Sequence, residues 1–188
     1  VPEDIICEFR AFEYELERIK NITDRIGDFL RDPIGFPQEI NLFNTITEII
    51  KNKKNKVIVQ NNLKFEIIYF DKSRFESIIE NLLNNAIESQ DEFENVEPIK
   101  IIIDNIKDFV IISVVDKGIG LKDANMDIFQ PYYTTKAKGS GIGLSIVKRF
   151  VEANGGKIEI YNNDDQGVTA KLFIKKRKIE DENTDSRR

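Results

Sequence analysis

Three runs of this chain hold residue types that could do chemistry. In "ENLLNNAIES", positions 80–89, Asn81 and Asn85 stand four apart and so project from one face of a helix. An amide oxygen is a hard, neutral ligand suited to Mg²⁺, which keeps several waters and takes its remaining oxygens from nucleotide phosphates. Two solvated asparagines on an exposed helix face would show the same spacing. In "VVDKGIGL", 114–121, an apolar run ends at Asp116 and is followed by Gly118 and Gly120. A carboxylate there can accept a hydrogen bond from an exocyclic amine such as adenine N6, and the glycines let backbone come close to a ligand; an ordinary turn has the same pattern. In "IFQPYYTTKAKGSGIGLSIVK", 128–148, a glycine-rich turn leads into a helical run. Its free N–H groups and positive dipole end suit an anion, and Lys136 and Lys138 add charge toward a terminal phosphate. No Lys-Ser or Lys-Thr follows the last glycine, as a P-loop needs, and no apolar strand leads straight into these glycines, as the dinucleotide fingerprint needs.

The elements that must position these runs follow from periodicity. Segments rich in β-branched and aromatic residues predict strands over 57–59, 63–70, 99–103, 109–115, 157–161 and 169–174. Helical spacing covers 39–51, 71–90 and 145–154. Strands and helices sharing one core make the chain α+β, most simply one sheet with helices on one face. Ahead of them Ile5, Phe9, Phe12, Leu16, Ile19, Thr23, Ile26 and Leu30 alternate in steps of four and three, the seam of a coiled coil. That predicts a helix of about 28 residues, about 42 Å long, ending before Pro33. So narrow a stripe suits pairing with other helices better than packing on the chain's own core.

Composition sets the outer limits. A chain of 188 residues, 40% hydrophobic, buries one ordinary core with a helical appendage. A net charge of -5 with interleaved signs gives no basic stripe, which argues against nucleic acid as a partner. Cys7 is the single cysteine, no apolar run approaches the roughly 20 residues that span a bilayer, and Pro2, Glu3 and Asp4 do not open a signal peptide. The expectation is a cytoplasmic, soluble chain with no membrane segment of its own. It contains no histidine.

Taken in order and spacing, the three runs resemble the ATP-binding domain of sensor histidine kinases, within the superfamily that includes Hsp90, gyrase B and MutL. "NLLNNA" is similar to the N box, "DKGIG" to the first glycine box, "IFQPYYTTK" to the F box and "GSGIGL" to the second glycine box, with "ANGGKIEI" the strand that follows. The likeness covers about positions 40–174. The run "FQPYYTTKAKGSGIGL" looks most like the nitrogen-regulation type, and the opening helix is similar to the second helix of the dimerization hairpin.

The resemblance implies a two-layer α/β sandwich of the Bergerat type behind a coiled-coil-type helix, divided as 1–32, 36–177 and a charged tail 178–188. It implies ATP and Mg²⁺ as ligands, with Asn85 on the metal, Asn81 beside the phosphates and Asp116 anchoring adenine. Gly118 and Gly120 would shape the base pocket. Gly139, Gly141 and Gly143 would form a hinged lid, with Phe129 pinning its base and Thr135 and Leu144 also at the nucleotide. Lys136 or Lys138 would steady the transferred charge. Any hydroxyl contact near adenine falls to Thr169, because Val168 stands where relatives often have threonine, and Glu88 stands where many relatives have a basic residue.

Relatives that hydrolyse ATP, and the related serine kinases, have glutamate four residues before the metal asparagine; here that position is Asn81. An amide cannot take a proton from water or a hydroxyl, which favours phosphoryl transfer to an acceptor already nucleophilic. Glu80 sits about 100° round the helix and is a poor substitute. The implied activity is that of a protein-histidine kinase whose acceptor histidine lies on a helix absent from this sequence, relaying phosphate to an aspartate of a response regulator. Self-association through helix 3–30 is a further expectation. A regulator without catalysis that uses the ATP fold to bind a partner, and a serine or protein kinase of the same superfamily, are the alternatives.

Overall fold

The protein is described by a computed structural model covering residues 3–51, 53, 57–63, 67–90, 93, 96–122, 127–134 and 140–176. The expected tail 178–188 lies outside these residues. In chain order the elements are α1 (Glu3–Leu30), β1 (Gln38–Asn41), α2 (Leu42–Ile50), β2 (Val57–Asn61), β3 (Ile67–Phe70), α3 (Lys72–Glu88), β4 (Ile99–Ile106), β5 (Phe109–Val115), α4 (Gly143–Ala153), β6 (Lys157–Asn162) and β7 (Val168–Lys175).

Five strands form one sheet in the order β2-β4-β5-β7-β6, parallel between β2 and β4 and antiparallel elsewhere. Period-2 alternation sends Ile99, Ile101 and Ile103 of β4, Val110, Ile112 and Val114 of β5, and Ala170, Leu172 and Ile174 of β7 to one face. There they meet Leu42 and Ile46 of α2, Phe75, Ile78, Ile79, Leu82 and Leu83 of α3, and Ile146, Val147, Phe150 and Val151 of α4 in one core. This is the expected two-layer α+β architecture.

Two details depart from the sequence expectation. The segment 39–51 does not begin as helix: Gln38–Asn41 is spent on β1, which pairs antiparallel with β3 in a separate two-stranded ribbon. Asn41 closes that strand and caps α2, its side-chain oxygen accepting from the Asn44 amide at 2.9 Å. Of the strand expected over 63–70, Leu63 lies outside any strand, 64–66 fall outside the described residues, and Ile67–Phe70 belongs to this ribbon rather than to the main sheet.

The end of α1 meets α3 and α4 through Asp28 and Phe29, and a buried ion pair fixes the connection that follows. Asp71 caps α3, with Oδ1 accepting from the Arg74 amide at 3.0 Å and the Ser73 hydroxyl at 2.8 Å. Its Oδ2 accepts from the Phe36 amide at 2.8 Å and meets Arg74 Nη1 at 3.1 Å. Arg74 Nε donates to the Asp32 carbonyl at 2.7 Å, and its guanidinium stacks 5.9 Å from the Phe150 ring centroid. Gly35, at φ +66°, passes so close that a Cβ there would lie 2.4 Å from Arg74 Cζ.

Burial pushes the Asp71 carboxyl up, but the amides of Phe36 and Arg74 and the side chains of Ser73 and Arg74 outweigh it, lowering its pKa to about 2 from 3.8. A pKa lowered in the folded state stabilises it by about 2 kcal/mol above pH 4, a contribution lost as pH falls through about 2. Urea unfolding at a series of pH values should show the parent losing this increment between pH 4 and 2. Asp71→Asn should be less stable at neutral pH and lack that acid step.

Candidate functional site

A cavity of about 190 Å³ opens where α3, the end of β5, the turn after it and the start of α4 converge. Asn81 and Asn85 line it from α3, Asp116 and Gly120 from the β5 turn, and Gly141, Gly143 and Leu144 from the segment entering α4. The three runs, distant in sequence, therefore share one wall.

Asp116 is 6% exposed, and its Oδ1 takes three donors: the Gly118 amide at 2.8 Å, the Ser89 hydroxyl at 3.1 Å and the Val168 amide at 3.2 Å. The donors come from the following turn, the C-cap of α3 and the first residue of β7, so the carboxylate is held by three elements. Gly118 is not on the cavity wall. It makes room for Ser89, since a Cβ there would stand 2.1 Å from Ser89 Oγ. Gly120, at φ +76°, is on the wall and is a genuine conformational requirement.

Asn81 Nδ2 donates to the Ser77 carbonyl at 2.8 Å, which sends Oδ1 the other way, toward α4. A Cβ on Gly143 would meet that oxygen at 2.7 Å, so glycine lets the two helices touch here. Among the described residues the Asn85 side chain makes no hydrogen bond, leaving its amide oxygen available to a cation. α4 starts at Ile142 with no side-chain cap, so its first N–H groups are unclaimed by any capping side chain. Glu80 is exposed and off the wall, whereas Glu88 is on it beside Ser89, at the Asp116 end.

Below α4's entry, the Tyr132 amide donates to the Gly141 carbonyl at 2.9 Å, with Gly141 at φ +66° and Tyr132 at φ +68°. Phe129 is not on the wall. It packs half-buried against the core with Lys148 Nζ 5.2 Å from its ring centroid. Thr135, Lys136, Lys138 and Gly139 fall outside the described residues.

A larger cleft of about 590 Å³ lies on the other face of the sheet, bordered by Lys100, Val115, Lys117 and Tyr161. It contains neither the asparagine pair nor a glycine turn at a helix start, so chemistry favours the smaller cavity despite its size. Thr169 belongs to that far face, in register with Val115 and Tyr161. The expected hydroxyl contact in the base pocket is thereby corrected: the wall residues of β7 are Val168 and Ala170, and one step of strand parity turns Thr169 away. Its hydroxyl instead donates to Asn163 Oδ1 at 2.6 Å, while Asn163 Nδ2 donates to the Asp116 carbonyl at 2.9 Å.

The family model described as histidine kinase-, DNA gyrase B-, and HSP90-like ATPase matches residues 70–178, which hold every described wall residue. The chain belongs to this family. Its fold matches the solved catalytic domain of the histidine kinase ThkA, with 30% identity and a TM-score of 0.65 over 74% of this chain and 95% of that one. A putative NtrY-like sensor histidine kinase of Rickettsia bellii is 32% identical over 80% of this chain, and Escherichia coli ZraS 35% over 57%. The chain spans about a quarter of the length of these curated relatives.

In this histidine kinase ATP-binding catalytic domain, sequence reasoning missed Ser89, Asn163, Gly167 and the cavity-lining Lys122. Gly167 carried the one available signal, a lone glycine in "DDQGVT". At φ +86° it packs on Asp116, and a Cβ would lie 2.1 Å from the Asp116 carbonyl oxygen. Gly167→Ala should therefore destabilise the domain by about 2 kcal/mol or more. Thr169→Val should cost only about 1 kcal/mol, the lost hydrogen bond. Thermal denaturation of both variants checks the order.

Proposed function

We propose that the cavity binds ATP with Mg²⁺ and that the domain transfers the γ-phosphoryl group to a histidine on a helix outside this sequence. The observation that carries the proposal is the division of labour along one wall. A thrice-held carboxylate, Asp116, stands at one end, and two amides, Asn81 and Asn85, face an uncapped helix start at the other.

Asp116 accepts a hydrogen bond from the exocyclic amine of adenine, its orientation fixed by its three donors. Gly120 brings backbone against the base, and the N–H groups at the start of α4 receive phosphate oxygens. Asn85 supplies the oxygen for Mg²⁺, with Asn81 beside it. Mg²⁺, when bound, neutralises charge on the phosphates. Gly141 and Gly143 shape the phosphate end, Leu144 packs at its edge, and Lys136 or Lys138 steadies the transferred charge. Asn81 can orient but cannot deprotonate, so the site suits an acceptor that needs no base, as an imidazole does.

The acceptor helix, relay to a response-regulator aspartate and a cytoplasmic setting complete the reading. A neighbouring solved structure, 26% identical with a TM-score of 0.74, is ThkA in complex with a response regulator. Among the described residues no helix is long and apolar enough to cross a membrane.

α1 supports the pairing part of the proposal, because Phe9, Phe12, Leu16 and Ile19 are 50–62% exposed along one seam. They pair with a second copy or with the acceptor helix, burying a stripe that water would otherwise cover. Light scattering during size-exclusion chromatography should show a concentration-dependent dimer that Phe9→Glu/Phe12→Glu abolishes; monomer throughout would remove self-association from the proposal.

Calorimetric titration of ADP and a non-hydrolysable ATP analogue tests the pocket. Asp116→Asn should weaken binding at least about 10-fold, consistent with losing a charge-assisted hydrogen bond. Asn85→Ala should remove the gain from Mg²⁺ while leaving metal-free binding nearly unchanged. Incubation with ATP and a histidine-bearing hairpin supplied separately should yield acid-labile phosphohistidine. No nucleotide binding by the parent chain would overturn the assignment.

A further inference from the structure

The docked end of α1 is joined to the asparagine pair by a short chain of side-chain hydrogen bonds. The Ser77 hydroxyl, on α3, donates to Asp28 Oδ2, on α1, at 2.8 Å. The same hydroxyl oxygen lies 3.4 Å from Asn81 Nδ2, the nitrogen that also donates to the Ser77 carbonyl at 2.8 Å. A hydroxyl has one proton. Once that proton is committed to the Asp28 carboxylate, the oxygen can only accept from Asn81. Nδ2 is then held by the carbonyl and the hydroxyl of Ser77 together, and Oδ1 lies against Gly143.

Without the carboxylate, the hydroxyl is free to turn its proton back onto its own helix, as serine does in helix interiors. That rotation carries Oγ away from Nδ2, and the asparagine amide keeps only its bond to the Ser77 carbonyl. Asp28 is itself held, with Oδ1 3.2 Å from Arg31 Nη1. The turn that carries it is clamped on both sides: Arg149 of α4 donates to the Phe29 carbonyl and stacks 5.7 Å from the Phe29 ring centroid, and Arg74 of α3 donates to the Asp32 carbonyl. The chain of bonds therefore exists only while the last turns of α1 stay seated on α3 and α4.

We infer that Asp28, acting through the Ser77 hydroxyl, is a positioning residue for Asn81, so that seating of the end of α1 raises the affinity of the cavity for a magnesium nucleotide. The inference rests on the reading of Asn81 as a group at the phosphate end. Linkage makes it reciprocal: a magnesium nucleotide that favours the oriented Asn81 also favours the seated α1.

The test uses the whole chain and MgADP as the probe. Ser77→Ala and Asp28→Ala should each weaken MgADP about 5-fold, the size of one neutral hydrogen bond, while Ser77→Thr restores parental affinity. Arg31→Ala, which keeps the Asp28 carboxylate and its bond to Ser77, should weaken MgADP less than Asp28→Ala does. In an Asn81→Ala background, Ser77→Ala should cause no further loss, because the effect passes through that amide. MgADP should also slow hydrogen exchange at residues 28–31 in the parent and not in Ser77→Ala. Parental affinity in both Ser77→Ala and Asp28→Ala, or an undiminished Ser77→Ala loss in the Asn81→Ala background, overturns the inference while leaving the site intact. A parent chain that binds no MgADP overturns the reading of the site, and the inference with it.

Discussion

The cavity end of this domain depends on holding one buried carboxylate in a fixed orientation. Burying a charge is costly unless donors replace its lost water. Asp116 finds replacements on the turn that follows it, on the cap of α3 and on the first amide of β7. Each donor needs space that a side chain would occupy, which is why Gly118 lies against Ser89 and Gly167 against the Asp116 carbonyl. The glycines of this region are thus partly ligand-facing and partly structural, and they serve the same carboxylate.

A second buried carboxylate organises the opposite end of α3. Asp71 and Arg74 gather the linker after α1, the cap of α3 and the aromatic face of Phe150 into one node. α3 therefore has a charge centre at each end, with the asparagine pair between them. A rigid helix of 17 residues carries both, so the place where α1 attaches and the place where a nucleotide would bind belong to one body.

Much of this was legible in the sequence. The layer architecture followed from β-branched runs alternating with helical spacing, and Asn81, Asn85, Asp116, Gly120, Gly141, Gly143 and Leu144 do share a wall. What was not legible depended on pairings between remote residues. The β1–β3 ribbon joins segments about thirty residues apart and took the first residues of an expected helix. Thr169 is misread by one step of parity: β7 alternates, with Ala170, Leu172 and Ile174 in the core, and the residue next to Val168 in sequence stands on the opposite face. Ser89 fell inside the helical spacing expected over 71–90, and its place against Gly118 and Asp116 gives it a role. Lys136 and Lys138, with Thr135 and Gly139, lie outside the described residues, so their expected roles rest on the sequence.

The bond between Tyr132 and Gly141 has a consequence for how such domains can diverge. It holds Tyr132 and Gly141 side by side, so the sequence between them begins and ends at adjacent points of the fold. The entropy of a closed loop rises only with the logarithm of its length, about 0.6 kcal/mol for each doubling. Residues can therefore be added or removed between the two anchors at little cost to the sheet or to α4. Length there is a nearly neutral variable for folding.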